Sequence, residues 1–233
     1  MSNSKSESFL FFAAGVLVTL VASKLVERKR EEKKHAGASV EGEDLSLFYG
    51  DIQKLTKITD SQRFLPSEFY GTMVRTCIVV CCDICLVRRN RTTKKRECLL
   101  VKRSSDPAKG LWWWPGGRVL KGETFFAAAR RKAIQETGID DVKCIQCLGV
   151  WNTVFPTSSW DTETEKGTQT VNSVVLVEIT TESGDAPVKL DNQSEQYKWI
   201  SLDPDQAIQN GEDKYVWKPL QRLKASNPTY YHS

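Results

Sequence analysis

Histidine is almost missing from this chain of 233 residues: His35 and His232 are the only two, one near each end. No imidazole is therefore available in the body of the chain, and a proton acceptor there has to be a carboxylate. A broad surplus of one charge is missing as well. The net charge is +4, and much of the lysine and arginine excess sits in two local clusters, Lys24 to Lys34 and Arg88 to Arg96. That distribution speaks against nucleic acid as a partner. There is no internal repeat, no low-complexity tract, and no second C-x-x-C to match Cys144 and Cys147. That lone pair falls in a strand-like segment, where positions three apart face opposite sides, so a zinc or redox site is not expected. The seven cysteines are odd in number and crowd into apolar segments, which reads as reduced core residues in a reducing compartment. The sequons at Asn90 and Asn192 would need a lumenal domain, and the cysteines argue against one.

Long apolar runs are scarce too. One such run, Phe9 to Ala22, carries no charge and is followed by Lys24, Arg28, Lys29, Arg30, Lys33 and Lys34. It is short for a bilayer span, which needs about 20 residues, but reaches Val26 if Lys24 snorkels. The small residues at Val21 to Ser23 suit a cleaved signal peptide. However, Lys5 and Glu7 cancel in the leading segment, and the positive charge lies on the wrong side. The expectation is a transmembrane helix anchoring residues 1–26, with the basic flank and everything after it in the cytosol. Such an anchor suits the mitochondrial outer membrane or the endoplasmic reticulum.

The rest supports one domain, since 40% hydrophobic residues suffice for a core. Residues 27–59 read as a charged linker and an amphipathic helix over Leu45 to Ile58. Pro66 to Tyr70 resembles the first turn of another helix. Strands are expected over Cys77 to Val87, Cys98 to Arg103, Asp141 to Phe155, Asn172 to Thr180 and Gln196 to Leu202, with a helix at Lys214 to Lys224. On a strand, Trp112 and Trp114 share one face and Trp113 takes the other, a core pattern. The polar segment from Pro156 to Thr168 reads as a mobile loop. The order points to an α/β or α+β sandwich with a mixed sheet.

The stretch 115–138, PGGRVLKGETFFAAARRKAIQETG, carries the chemistry. Gly116 and Gly117 permit a sharp turn and close approach to a ligand, and Gly138 ends the helix. A loop bearing Glu123, then a helix presenting Glu136 near Arg118, suits a hard divalent cation and a phosphate. The bland alternative is a solvated helix face on which Lys132 and Glu136 touch, a contact worth at most about 0.3 kcal/mol.

In this stretch Gly117, Glu123, Arg131, Glu136, Gly138 and Ile139 fall in register with the Nudix box, G-x5-E-x7-R-E-U-x-E-E-x-G-U, U being bulky and aliphatic. Lys132 and Gln135 stand where that box has glutamates. The chain resembles Nudix hydrolases, and within them the GDP-mannose mannosyl hydrolase branch, which also keeps only the later glutamate. Leu100 to Arg103, Pro107-Ala108, Pro115 to Val119, Gly149 to Trp151 and Tyr197 to Trp199 extend the likeness. It implies a Nudix-type α/β/α sandwich at residues 60–225 with a short tail at 226–233. It implies Mg2+, or Mn2+, on the Gly116 carbonyl, Glu136 and Gln193. It further implies a diphosphate engaged or supported by Arg103, Arg118 and Arg131, and Asp83 near base and sugar. A nucleoside diphosphate derivative, most naturally a nucleotide sugar, is the implied substrate, and a homodimer is compatible with this reading.

The branch's base, a histidine directly after the metal-ligand glutamine, is Ser194 here, and two further contact positions are Thr153 and Ser173. Glu195, Glu123 or an acidic residue of the 156–168 loop are then the candidate bases, with Arg118 in the catalytic set. One competing expectation is a module that binds a nucleotide diphosphate or a protein without turnover, Lys132 taking part of the space and charge of a missing metal. Another is ordinary pyrophosphate-bond cleavage.

Overall fold

The computed structural model describes residues 64–161, 166–180 and 187–228, together with Leu47 and Tyr230. The expected anchor, residues 1–26, and all of the expected linker except Leu47 lie outside them. Among the described residues no helix is long and apolar enough to cross a membrane.

The described elements run α1 (Ser67–Thr76), β1 (Val79–Arg89), β2 (Arg96–Arg103), β3 (Trp112–Trp113), β4 (Gly116–Arg118), α2 (Phe125–Thr137), β5 (Val142–Phe155), β6 (Thr168–Ile179), β7 (Ser194–Ser201), α3 (Pro204–Gln209) and α4 (Lys214–Ser226). The strands form one mixed sheet in the order β3-β2-β1-β6-β5, with β4 added on β1 and β7 on β2. β1 and β6 run parallel, Val79 beside Thr170 through Val87 beside Glu178, and the other pairs are antiparallel.

Alternation along the strands builds two cores. Cys82, Ile84 and Leu86 of β1, with Val175 and Val177 of β6, pack under Phe126, Ala128, Ala129 and Ala133 of α2. Cys85 and Val87, with Val174 and Leu176, pack under Val216, Leu220 and Leu223 of α4. Two helices on opposite faces of one mixed sheet make an α/β/α sandwich. α2 is delimited as its sequence dictates: Thr124 Oγ1 accepts from Ala127 N at its start, and Gly138, at φ 70°, takes the left-handed turn at its end.

Two expectations are corrected. β3 lasts only two residues, so Trp113 and Trp114 both enter the core under α4 while Trp112 packs at its edge. Trp113 stacks on Tyr215 at 4.4 Å between ring centroids. β5 carries register shifts between Cys144 and Gln146 and between Cys147 and Gly149. The first shift brings Cys144 opposite Val177 and Cys147 opposite Val175, so both cysteines point to the α2 face, and both are free thiols.

The indole N–H of Trp114 donates to the Tyr215 carbonyl at 3.0 Å in a buried setting. Trp114→Phe removes that donor and part of a filled volume, so stability is expected to fall by about 2 kcal/mol. Urea denaturation checks this, and a change within experimental scatter would show that the bond contributes nothing.

Candidate active site

On the face of β1 opposite α2, Val79 and Cys81 pack with Val74 of α1, and Cys85 and Val87 pack under α4. Asp83 stands between these two apolar groups at the wall of a cavity of about 680 Å³. The cavity is lined from several elements: Tyr70 and Val74 of α1, the Gly116–Arg118 strand, Lys132 and Gln135 of α2, Thr170 and Asn172 of β6, and Arg103 and Gln193 from either side of the β2–β7 ladder. A charged residue on a buried strand needs partners. Asp83 Oδ2 accepts from Asn172 Nδ2 at 2.8 Å and from Tyr215 Oη at 2.7 Å, while Oδ1 takes part in neither bond. Burial lifts its carboxyl to about 6, against the pull of those two donors; the charge of Glu136 adds to the rise and that of Arg103 opposes it. Behind Asn172, Thr153 Oγ1 bonds Asn172 Oδ1 at 2.9 Å and Thr170 Oγ1 at 2.5 Å. Thr153 thus helps fix the amide that holds Asp83. Ser173 donates to the Cys81 carbonyl at 3.4 Å and is not among the cavity's lining residues.

The glycine loop is held by a different carboxylate. Glu123 takes Arg131 Nε on Oε1 at 2.5 Å, and Arg131 Nη2 and the Leu120 N–H on Oε2, each at 2.8 Å. Arg131 spends its remaining bonds on the Arg118 carbonyl at 3.0 Å and Gln135 Oε1 at 2.9 Å. Glu123 and Arg131 therefore brace the loop that carries Arg118. Glu123, one of the expected candidate bases, has both oxygens committed in these bonds and does not line the cavity. Glu195, another of those candidates, is exposed on β7 and outside the lining. Asp161, the acidic loop residue that is described, accepts from Lys166 N at 2.7 Å and Gly167 N at 2.9 Å, which hold its carboxyl below the usual range. Ser159 Oγ ties the same segment to the Asp106 carbonyl at 2.7 Å. The described part of the 156–168 loop is thus tied down rather than loose. Among the described residues the carboxylates that line the cavity are Asp83 and Asp106.

Arg118 lies over the ring of Tyr70 at 4.8 Å and of Phe64 at 5.8 Å. Trp160 meets Tyr70 edge-on at 5.5 Å, and the missing side chain of Gly71 leaves room for it, because a Cβ there would stand 2.8 Å from the indole. Arg103 is oriented by its Nε, which donates to the Pro107 carbonyl at 2.7 Å. Neither the aromatic wall nor the Asn172 and Tyr215 partners of Asp83 were singled out from the sequence. A lone tryptophan in a polar loop was the one available signal.

Of the three groups expected to hold a divalent ion, the Glu136 carboxylate is already engaged. Glu136 Oε2 accepts the Gly116 N–H at 2.8 Å, and Oε1 accepts Lys132 Nζ at 2.9 Å. Burial raises the Glu136 carboxyl, with Lys132 and then the Gly116 N–H opposing. Gln193 lines the cavity, yet among the described residues no group of three His, Cys, Asp or Glu side chains is placed to hold a metal. With its one carboxylate already neutralised by an ammonium, this donor set does not fit a resident Mg2+.

Comparison with known proteins bears on this geometry. The NUDIX domain model matches residues 83–220, more than half of the chain. The chain is 42% identical over 60 residues to the low-salt glycan biosynthesis protein Agl8 of Haloferax volcanii, a match covering 26% of this chain and 38% of that protein. Among solved structures it is similar to the MutT protein of Methanosarcina mazei, at 22% identity, 64% of this chain, 95% of that one and a TM-score of 0.49. It is similar also to the NUDIX domain of Shewanella oneidensis NrtR complexed with ADP ribose, at 14% identity, 76% of this chain, 99% of that one and a TM-score of 0.46.

Proposed function

Because this chain belongs to the NUDIX family, whose members act as hydrolases on nucleoside diphosphate derivatives, we propose that it hydrolyses a nucleotide sugar while residues 9–26 hold it at a membrane. The observation that carries the reading is one cavity lined by Arg103, Arg118 and Lys132 beside the Gly116–Gly117 pair of β4. Cations so placed stabilise a diphosphate and the negative charge that grows on it as a leaving group. Asp83 supplies the carboxylate that the absent histidine leaves wanting. It lines the same cavity, and its Oδ1 is outside the Asn172 and Tyr215 bonds that orient it. The Tyr70, Phe64 and Trp160 rings offer an aromatic wall for a base or sugar. NUDIX enzymes generally use divalent ions such as Mg2+ or Mn2+.

Full-length protein assayed against a nucleotide-sugar panel is expected to release a nucleoside diphosphate or monophosphate. Arg118→Ala is expected to lower kcat/KM by about 10- to 100-fold, the worth of a charge-assisted phosphate contact. Arg118→Lys is expected to restore little of it, since an ammonium cannot reproduce the planar fork. An Arg118→Ala enzyme as active as the parent would remove the diphosphate from this wall. A fluorescent fusion with and without residues 1–26 tests the anchor, and an unchanged distribution would reject it.

A further inference from the structure

Lys132 sits where an ion pair is hard to explain by stability. Its side chain is 15% exposed and that of Glu136 7%, at an Nζ to Oε1 separation of 2.9 Å. Lysine preceding glutamate by four residues is the weaker helical order, and a pair this buried gives back in attraction little more than it loses in hydration. Its location is more informative. A Cβ built on Gly117 would stand 2.8 Å from Lys132 Nζ and 3.9 Å from Glu136 Oε1, so the ammonium lies against the glycine pair. Glu136 is pinned there from the other side by the Gly116 N–H. Lys132 also lines the cavity that Arg103 and Arg118 line.

We propose that the Lys132 ammonium is a built-in cation in place of a resident divalent ion, so that this chain binds the diphosphate of its ligand without metal. The inference rests on the nucleoside diphosphate reading above. Charge arithmetic gives it a consequence. A divalent ion on Glu136 would leave one net positive charge at the glycine pair, whereas Lys132 on Glu136 leaves none. Arg103 and Arg118 then supply the remaining attraction, and a divalent ion entering at Glu136 would have to displace the ammonium of Lys132.

The test is calorimetric titration of the full-length protein with GDP and ADP, in Mg2+ and in EDTA, beside a Mn2+ titration followed by electron paramagnetic resonance without nucleotide. The expected result is affinity unchanged within about twofold by chelation, and no tight Mn2+ site in the parent protein. Lys132→Met is expected to weaken nucleoside diphosphate binding in EDTA by about tenfold or more, and Lys132→Arg to keep it. Lys132→Glu is expected to create a Mn2+ site and to bind GDP only with metal. Tight Mn2+ binding by the parent, or a tenfold loss on chelation, overturns the inference and leaves the hydrolase reading standing. Both of those measurements need no variant to fold. Failure to bind any nucleoside diphosphate, with or without metal, overturns that reading and the inference with it.

Discussion

Asp83→Asn is expected to make the protein more stable at pH 7.5 while lowering turnover by about 100- to 10,000-fold, the usual cost of losing a general base. The two effects have one cause. Burial lifts the carboxyl from 3.8 to about 6, so the folded state holds a proton that the unfolded chain releases between those values. Stability therefore falls as pH rises through this window and stays lower above it, by about 3 kcal/mol. Asparagine never ionises, and its amide oxygen can still accept from Asn172 and Tyr215. The gain is thus expected above pH 6 and absent near pH 3. Activity runs the other way, because the base must be ionised. For the parent, kcat/KM is expected to rise through about pH 6, and the residual rate of the variant to lack that inflection. Chemical denaturation at several pH values and a pH–rate profile measure the two halves separately. A variant that loses both stability and activity would show Asp83 to be a packing residue.

Gly116→Ala is expected to cost upwards of about 3 kcal/mol and to abolish function. Gly116 pairs with Asp83 across the β1–β4 ladder. A methyl there would overlap Asp83 Oδ1 and come within 2.6 Å of Asp83 Cα and 2.7 Å of the Cys82 carbonyl oxygen. Two of those atoms belong to the backbone of the central strand, which has cores on both faces and cannot yield. At Gly117 the same methyl would meet the movable end of Lys132 instead. Urea denaturation of Gly116→Ala measures the loss; a cost under about 1 kcal/mol would mean that β4 can lift off β1.

What could be read from the chain before its fold was known divides along a physical line. The β1 core and the end of α2 were legible because they depend on local pattern: a continuous apolar run and a terminal glycine. The glycine pair and Arg118 were legible from their spacing to Glu136, but the pair lies in a strand paired with β1 rather than in the expected sharp turn. The Tyr215 and Asn172 bonds to Asp83 were not, since they join residues 132 and 89 positions apart and nothing local encodes them. Glu123 had the spacing of a catalytic carboxylate, and only the loop's path reveals that Arg131 consumes it. The bulges of β5 turned Cys144 and Cys147 to one face, a reversal that strict alternation cannot anticipate. α3 was overlooked although Asp203-Pro204 marks its start, because six residues show too little periodicity.

The central claim is that this cavity hydrolyses a nucleoside diphosphate derivative using Arg118 and Asp83. Product analysis of a nucleotide-sugar panel in oxygen-18 water, with the full-length parent, Arg118→Ala and Asp83→Asn side by side, tests it most directly. The account predicts a labelled product from at least one nucleotide sugar, formed far more slowly by both variants. Turnover by the parent that survives both substitutions undiminished would contradict it.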